Sequence, residues 1–250
     1  EVAAREAGLF TSVVALDRFG PDDVASAFDH FSSLAAEAIV VIAPVDSLAE
    51  AVASQGASVP VIAVSGGRTF GRGVSVVHAD QRGGARALAE HLTTLGHRDI
   101  ACVAGPQEWF EARERVAGWR EAMVQAGLPM REPLVGSWEA RWGYVAGQNI
   151  VEDDLPDAVM CANDEVAVGL LRAFAEAGVS VPGDVSVAGF DDVPMAAYAG
   201  PGLTTVRQDF ADLGRCALEA VSYALDGESV DTYVRPTRLV VRGSTGVCPR

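Results

Sequence analysis

The sequence predicts an α/β protein made of two doubly wound parallel-sheet lobes, and three observations carry that reading. Short β-branched apolar runs alternate with longer stretches of helical periodicity along nearly the whole chain. The runs are continuously apolar rather than alternating, as parallel strands covered on both faces require. There are also more strand–helix–strand units than one open sheet comfortably holds in 250 residues, so two sheets are expected. No Gly/Ser linker separates them, which fits lobes joined by several short crossings.

Taken in order, the predicted strands are FTSVVAL (10–16), AIVVIA (38–43), VPVIAV (59–64), VSVVH (74–78), IACVA (100–104), AVMCA (158–162) and VSVAGF (185–190). A shorter run, LV (134–135), is also strand-like. The opening EVAAREAGLF reads as the end of a helix. In 84–95, Ala85, Leu88, Ala89, Leu92 and Leu95 recur at helical spacing, and Gly96 is a helix-ending residue with His97 placed to cap it. In 209–226, Phe210, Leu213, Ala217, Val221 and Leu225 recur likewise behind Asp209 as a first-turn acid.

Composition excludes several functions. The chain has 19 Lys+Arg against 34 Asp+Glu, a net charge of −15, and every one of its basic residues is arginine. Such an acidic surface repels phosphate backbones. The lack of lysine removes a Schiff-base nucleophile and the P-loop lysine. The Gly-rich SGGRTFGRG (65–73) lacks GxGxxG spacing and precedes a strand, so it reads as a connection. Cys102, Cys161, Cys216 and Cys248 are widely spaced with no CxxC, and no histidine pair stands at i, i+4, so no metal site or cofactor is expected. Reduced thiols suit a cytoplasmic protein, and no apolar run approaches the length of a bilayer span.

Two predicted strands end abruptly in acid and amide groups. AVMCANDE (158–165) stops at Asn163, Asp164 and Glu165, and SVAGFDD (186–192) stops at Asp191 and Asp192. In parallel α/β sheets, ligands collect beyond the carboxyl ends of the strands. Helix capping accounts best for Asp164 and Asp192, whereas Asn163 and Asp191 present the same polar chemistry at two strand ends together. Arg115 opens the helical stretch after strand 100–104, and Trp138 follows 134–135. Arginine, carboxylate, carboxamide and indole suit a sugar: planar polar groups pair with vicinal hydroxyls while an aromatic face covers the C–H surface. The plainer alternatives are a surface ion pair for Arg115 and core packing for Trp119 and Trp142. A glycosidase would want two matched carboxylates, and no convincing acid partner stands on a matching strand.

Six motifs in order resemble the effector-binding core of the lactose/galactose repressor family of bacterial transcription regulators. They are HADQRGGARALAEHLTTLGHRDIACVAGP (78–106), RERVAGWREAM (113–123), GSWEARWGY (136–144), CANDEVAVGLLRAFAEAGVSVPGDVSVAGFDD (161–192), PGLTTVRQDFADLG (201–214) and LVVRGSTG (239–246). The resemblance implies a periplasmic-binding-protein-like fold with a ligand cleft between lobes 1–79 plus 208–236 and 80–207 plus 237–250. It implies effector contacts at Arg115, Asn163 and Asp191, stacking at Trp138, and cleft positions at Gln208, Phe210, Ser65, Arg18 and Asp80. Serine at 65 departs from the family's frequent aspartate. Trp138 is similar to the version in disaccharide-responsive members, which favours a sugar or glycoside as the small-molecule effector. A homodimer is implied, with Val168, Leu171, Arg172, Tyr198 and Pro201 at its interface.

The family carries a helix-turn-helix head, a hinge and a first core strand before the point at which this sequence opens. The chain is therefore expected to be part of a longer one, touching operator DNA only through that head, and no membrane. The implied function is a sugar-responsive regulator core, not an enzyme. A periplasmic sugar-binding protein of the same fold and a glycoside-processing enzyme are the rival readings.

Overall fold

The computed structural model describes residues 2–16, 18–66, 70, 74–228 and 232–248. The chain forms two compact units, Glu1–Asp80 with Asp209–Arg235, and Gln81–Gln208 with Pro236–Arg250.

The first unit holds helices α1 (Val2–Glu6), α2 (Pro21–Ser33) and α3 (Asp46–Ser54), and strands β1 (Ile39–Ile42), β2 (Val61–Val64) and β3 (Val74–Ala79). Helix α8 (Phe210–Leu225) and strand β9 (Thr232–Arg235) complete it. The four strands form a parallel sheet in the order β1-β2-β3-β9. Helix α8 lays Cys216, Ala217, Ala220 and Val221 against Ile62 and Val77. That i, i+1, i+4, i+5 spacing is one stripe of a helix, so the sequence pattern and the packing agree.

Two expectations fail here. Residues 10–16 are not a strand: among the described residues they make no backbone pairing to the sheet. Phe10 and Val13 stand in solvent, at 105% and 69% exposure. Apolar β-branched composition favours an extended chain, but a strand exists only where a neighbour accepts its hydrogen bonds. Strand β1, expected to be covered on both faces, lies at the end of the sheet order with Val40 and Ile42 exposed. Most of the Gly-rich stretch (67–69 and 71–73) lies outside the described residues.

The second unit is built on strands β4 (Ile100–Ala104), β5 (Leu134–Val135), β6 (Ala158–Cys161) and β7 (Ser186–Ala188), parallel in the order β5-β4-β6-β7. Helices α4 (Gln81–Thr94), α5 (Phe110–Gln125), α6 (Ala140–Asp153) and α7 (Asp164–Glu176) cover it. The period-2 alternation of strand side chains divides the core in two. Ile100, Cys102 and Ala104 pack with Leu88 and Leu92 of α4 and Trp119 of α5, whereas Ala101 and Val103 pack with Ile150 of α6 and Leu170 of α7. Both faces of the sheet are therefore buried, which explains its continuously apolar strands.

Gly143 and Gly169 let α6 and α7 approach closely, because a Cβ at either would strike the backbone of the other helix. Trp119 is fully buried and Trp142 packs against the α6–α7 side of the core, so both are packing residues. A short antiparallel pair that the sequence did not announce, β8 (Thr205–Arg207) with β10 (Arg238–Val240), completes the unit. Among the described residues no helix is long and apolar enough to cross a membrane.

Candidate functional site

The site grows from the carboxyl ends of β6 and β7. Strand β6 runs into Asn163, whose Oδ1 accepts the Val166 amide at 2.8 Å and so caps α7. This corrects the expectation for Asp164, which is not the cap. Asp164 is buried, accepting Thr205 Oγ1 at 2.6 Å and the Val193 amide at 2.9 Å, and burial pushes its pKa up to about 6. Its own amide donates to the Phe190 carbonyl at 2.9 Å, stitching the two strand ends together.

Beyond β7 the backbone turns sharply. Asp191 has φ 109° and Asp192 φ 55°, in the left-handed region that non-glycine residues rarely enter. Asp192 is not a helix cap either, since Val193 precedes the 3₁₀ turn Pro194–Ala197. Its buried carboxylate is held by Arg207 Nε at 2.5 Å and Arg242 Nη2 at 2.6 Å. Those two ion pairs, with the Asp191 amide donating to Val206 O at 2.8 Å, fix the strained turn.

The turn aims Asp191 at Arg115. Arg115 is 5% exposed, which rules out a surface ion pair. It donates from Nη2 to Asp191 Oδ1 at 3.1 Å, from Nε to Gln81 Oε1 at 2.9 Å and from Nη1 to the Ala162 carbonyl at 2.5 Å. Its guanidinium lies 4.0 Å from the Phe190 ring centre and 5.4 Å from that of Trp138. Gln208 Nε2 donates to the same Asp191 Oδ1 at 2.7 Å. Among the described residues no donor bonds Asp191 Oδ2, on a side chain 21% exposed.

Trp138 stands edge-on to Trp109, with ring centres 5.7 Å apart, and its carbonyl accepts Asn163 Nδ2 at 3.0 Å. Its indole N–H is buried with no hydrogen-bond partner among the described residues, and so is Glu111 Oε2. Burial raises the Glu111 pKa. Free acceptors, an unsatisfied indole N–H and an aromatic face are the groups a polyhydroxylated ligand satisfies together. Among the described residues no group of three or more His, Cys, Asp or Glu side chains is placed to hold a metal ion.

The second unit therefore gathers Arg115, Trp138, Asn163, Asp191 and Gln208. The other four residues singled out in the sequence belong to the first unit. Ser65 follows β2, buried, with no partner for its Oγ among the described residues. Asp80 follows β3 and donates its amide to Arg235 O at 2.8 Å. Arg18 is exposed and reaches Asp23 Oδ1 at 3.4 Å, and Phe210 begins α8 at 57% exposure. Of the residues expected at a dimer interface, Val168 and Leu171 are half-buried on α7, and Arg172, Tyr198 and Pro201 are exposed. Gln81 was missed by sequence reasoning. Its only signal was a polar residue just past the end of a strand.

Residues 89–245 match the family model of the periplasmic binding protein-like domain. The lactose operon repressor of Escherichia coli is 35% identical over 65% of this chain and 46% of its own length. The transcriptional regulator CelR of Thermobifida fusca is 37% identical over 72% of this chain and 56% of its own. The chain thus spans about half the length of the curated relatives it matches. A lac repressor dimer bound to operator and the anti-inducer ONPF superposes with TM-score 0.87 at 28% identity, covering 98% of this chain and 86% of that one. A CelR–cellobiose complex does so with TM-score 0.84 at 29% identity, covering 97% and 76%. This chain belongs to the periplasmic binding protein-like domain family, in its lactose/galactose repressor branch.

Proposed function

We propose that these residues are the effector-binding and dimerisation core of a sugar-responsive transcription regulator. The observation that carries the reading is the buried Arg115–Asp191 pair, set beside Trp138 and Asn163 with Asp191 Oδ2 left open. A sugar hydroxyl pair is held by Asp191 and Asn163 while Trp138 covers the ring. Ser65, Asp80, Arg18 and Phe210 are the effector contacts assigned to the first unit, and ligand biases one of two arrangements of a homodimer. The dimer uses Val168, Leu171, Arg172, Tyr198 and Pro201. Operator contact falls to a DNA-binding head outside these residues, which fits the net charge of −15 here. The protein works in the cytoplasm and catalyses nothing. The relatives support the reading, being named as repressors and regulators, with cellobiose bound to one of the similar structures.

The test is a melting-temperature screen with cellobiose, lactose, their monosaccharides and free nucleobases at millimolar concentration. A ligand at about a hundred times its dissociation constant stabilises by roughly 2.7 kcal/mol. A sugar that raises Tm supports the proposal. A response confined to nucleobases, or hydrolysis of a chromogenic glycoside, overturns it.

A further inference from the structure

The chain passes between its two compact units three times, from Asp80 to Gln81, from Gln208 to Asp209 and from Arg235 to Pro236. At two of these crossings the first residue on the second unit's side is a buried glutamine, and the two are hydrogen-bonded, Gln81 Nε2 to Gln208 Oε1 at 2.7 Å. On the first unit's side, the Asp80 amide donates to Arg235 O at 2.8 Å. All three crossings are thus involved in short bonds from one crossing to another.

The glutamine pair is also part of the candidate site. Gln81 Oε1 accepts Arg115 Nε at 2.9 Å, and Gln208 Nε2 donates to Asp191 Oδ1 at 2.7 Å. Arg115 Nη2 closes the circuit onto the same oxygen at 3.1 Å. The four side chains form a ring in which the direction of every bond is forced. Arginine only donates and a carboxylate only accepts, so Gln81 must turn its oxygen to Arg115 and Gln208 its nitrogen to Asp191. The remaining two amide groups then match each other. Such a buried polar ring is fully satisfied or strongly unfavourable, with little between.

We propose that Gln81 is a positioning residue that couples the effector pair to the crossings. The proposal rests on the reading of Arg115 and Asp191 as ligand-binding groups. A ligand hydroxyl that engages either of them draws on the atoms that hold the two glutamines, so occupancy of the site changes how firmly the crossings are held. Gln81 itself need not touch the ligand.

Hydrogen exchange of the ligand-free protein tests the coupling. In Gln81→Leu, peptides spanning 79–82, 206–210 and 234–238 should exchange about three- to tenfold faster, the size expected when one net hydrogen bond is lost. Peptides over β4 and β6 should exchange at the wild-type rate. Asp191→Asn should perturb the same crossing peptides in the wild-type background and add nothing in the Gln81→Leu background. A merely structural glutamine would give additive effects. Wild-type exchange at the crossings in Gln81→Leu, or full additivity with Asp191→Asn, overturns the proposal. If Gln81→Leu also loosens β4 and β6, Gln81→Asn, one methylene too short to reach both partners, is read by the same criteria. Because no sugar is present, failure of the sugar reading in the melting screen leaves this outcome independent.

Discussion

Asn163 caps helix α7 with its amide oxygen and holds the Trp138 carbonyl with its amide nitrogen, at 2.8 and 3.0 Å. Capping and site-building are therefore one role carried by the two ends of a single carboxamide. The second N–H of Nδ2 makes no hydrogen bond among the described residues.

That division predicts a split between two substitutions. Asn163→Asp keeps the capping oxygen but turns a carboxylate oxygen toward the Trp138 carbonyl, so it should destabilise through that contact alone and shift the tryptophan emission around 138. Asn163→Ala loses both and should cost about 1 kcal/mol in urea unfolding. Equal destabilisation by the two variants would place the loss in the Trp138 contact and leave the cap without a measurable share.

Arg115 should be the least replaceable residue of the site. Its guanidinium serves three acceptors from a buried position against Phe190. Removing one partner of a buried ion pair leaves the other uncompensated, which costs about 3–5 kcal/mol. Arg115→Ala should therefore lower stability by about that amount. Arg115→Lys should recover only part of it, since an ammonium cannot reproduce the planar fork. Full recovery in urea unfolding would mean that charge alone, not geometry, is what Asp191 requires.

Asp164 should make the protein less stable as pH rises from acid toward neutrality. Burial is the largest cause lifting its pKa from 3.8 to about 6, and the bonds from Thr205 and Val193 only partly oppose it. A folded-state pKa above the unfolded value means the neutral form is favoured by folding. Its contribution is full below pH 3.8 and is lost as pH climbs through about 6. The loss amounts to at most about 3 kcal/mol. Comparing wild type with Asp164→Asn across that window isolates the effect. A stability difference that does not change with pH would show that folding leaves the Asp164 pKa where it stands in the unfolded chain.

How much of this was legible in the sequence follows from how local each feature is. The second unit's strands could be read because both faces of its sheet are buried, leaving unbroken apolar runs such as IACVA. The strand-end rule pointed to Asn163 and Asp191 because each lies within three residues of its strand. The capping reading misjudged Asp164 and Asp192, whose partners Thr205, Arg207 and Arg242 come from distant segments. β8 and β10 escaped notice because TVR and RLV are too short and too basic to stand out. Residues 10–16 have the composition of a strand, but pairing is not written in composition. Gln81 finds its partner 127 residues away, a relationship no local pattern reveals.

The carboxyl-terminal segment should loosen on mild acidification, with His97 as the main cause. Helix α4 ends at Thr94, and Gly96 at φ 96° turns the buried His97 ring toward the final residues. His97 Nε2 must carry the proton, because its partner at 3.0 Å is the Gly246 carbonyl. Nδ1 is buried without a partner among the described residues, so the charged ring would place an N–H where nothing accepts it. His91 Nε2 meets Thr245 Oγ1 at 3.2 Å, and the Cys248 amide donates to Leu95 O at 2.9 Å, so the histidines and the segment are fastened together. Burial is the largest cause holding both histidines below their ordinary pKa of 6.5. For a base the sign runs opposite to that of Asp164: the unfolded state takes the proton first, so stability is full above 6.5 and falls as pH drops below it. Between about pH 7.5 and about 5.5, amide exchange at 246–248, corrected for intrinsic rate, should quicken while β4 and β6 stay protected. His97→Gln keeps a donor to Gly246 but cannot titrate, and it should remove most of that pH dependence. An unchanged pH profile in His97→Gln would transfer the effect to His91.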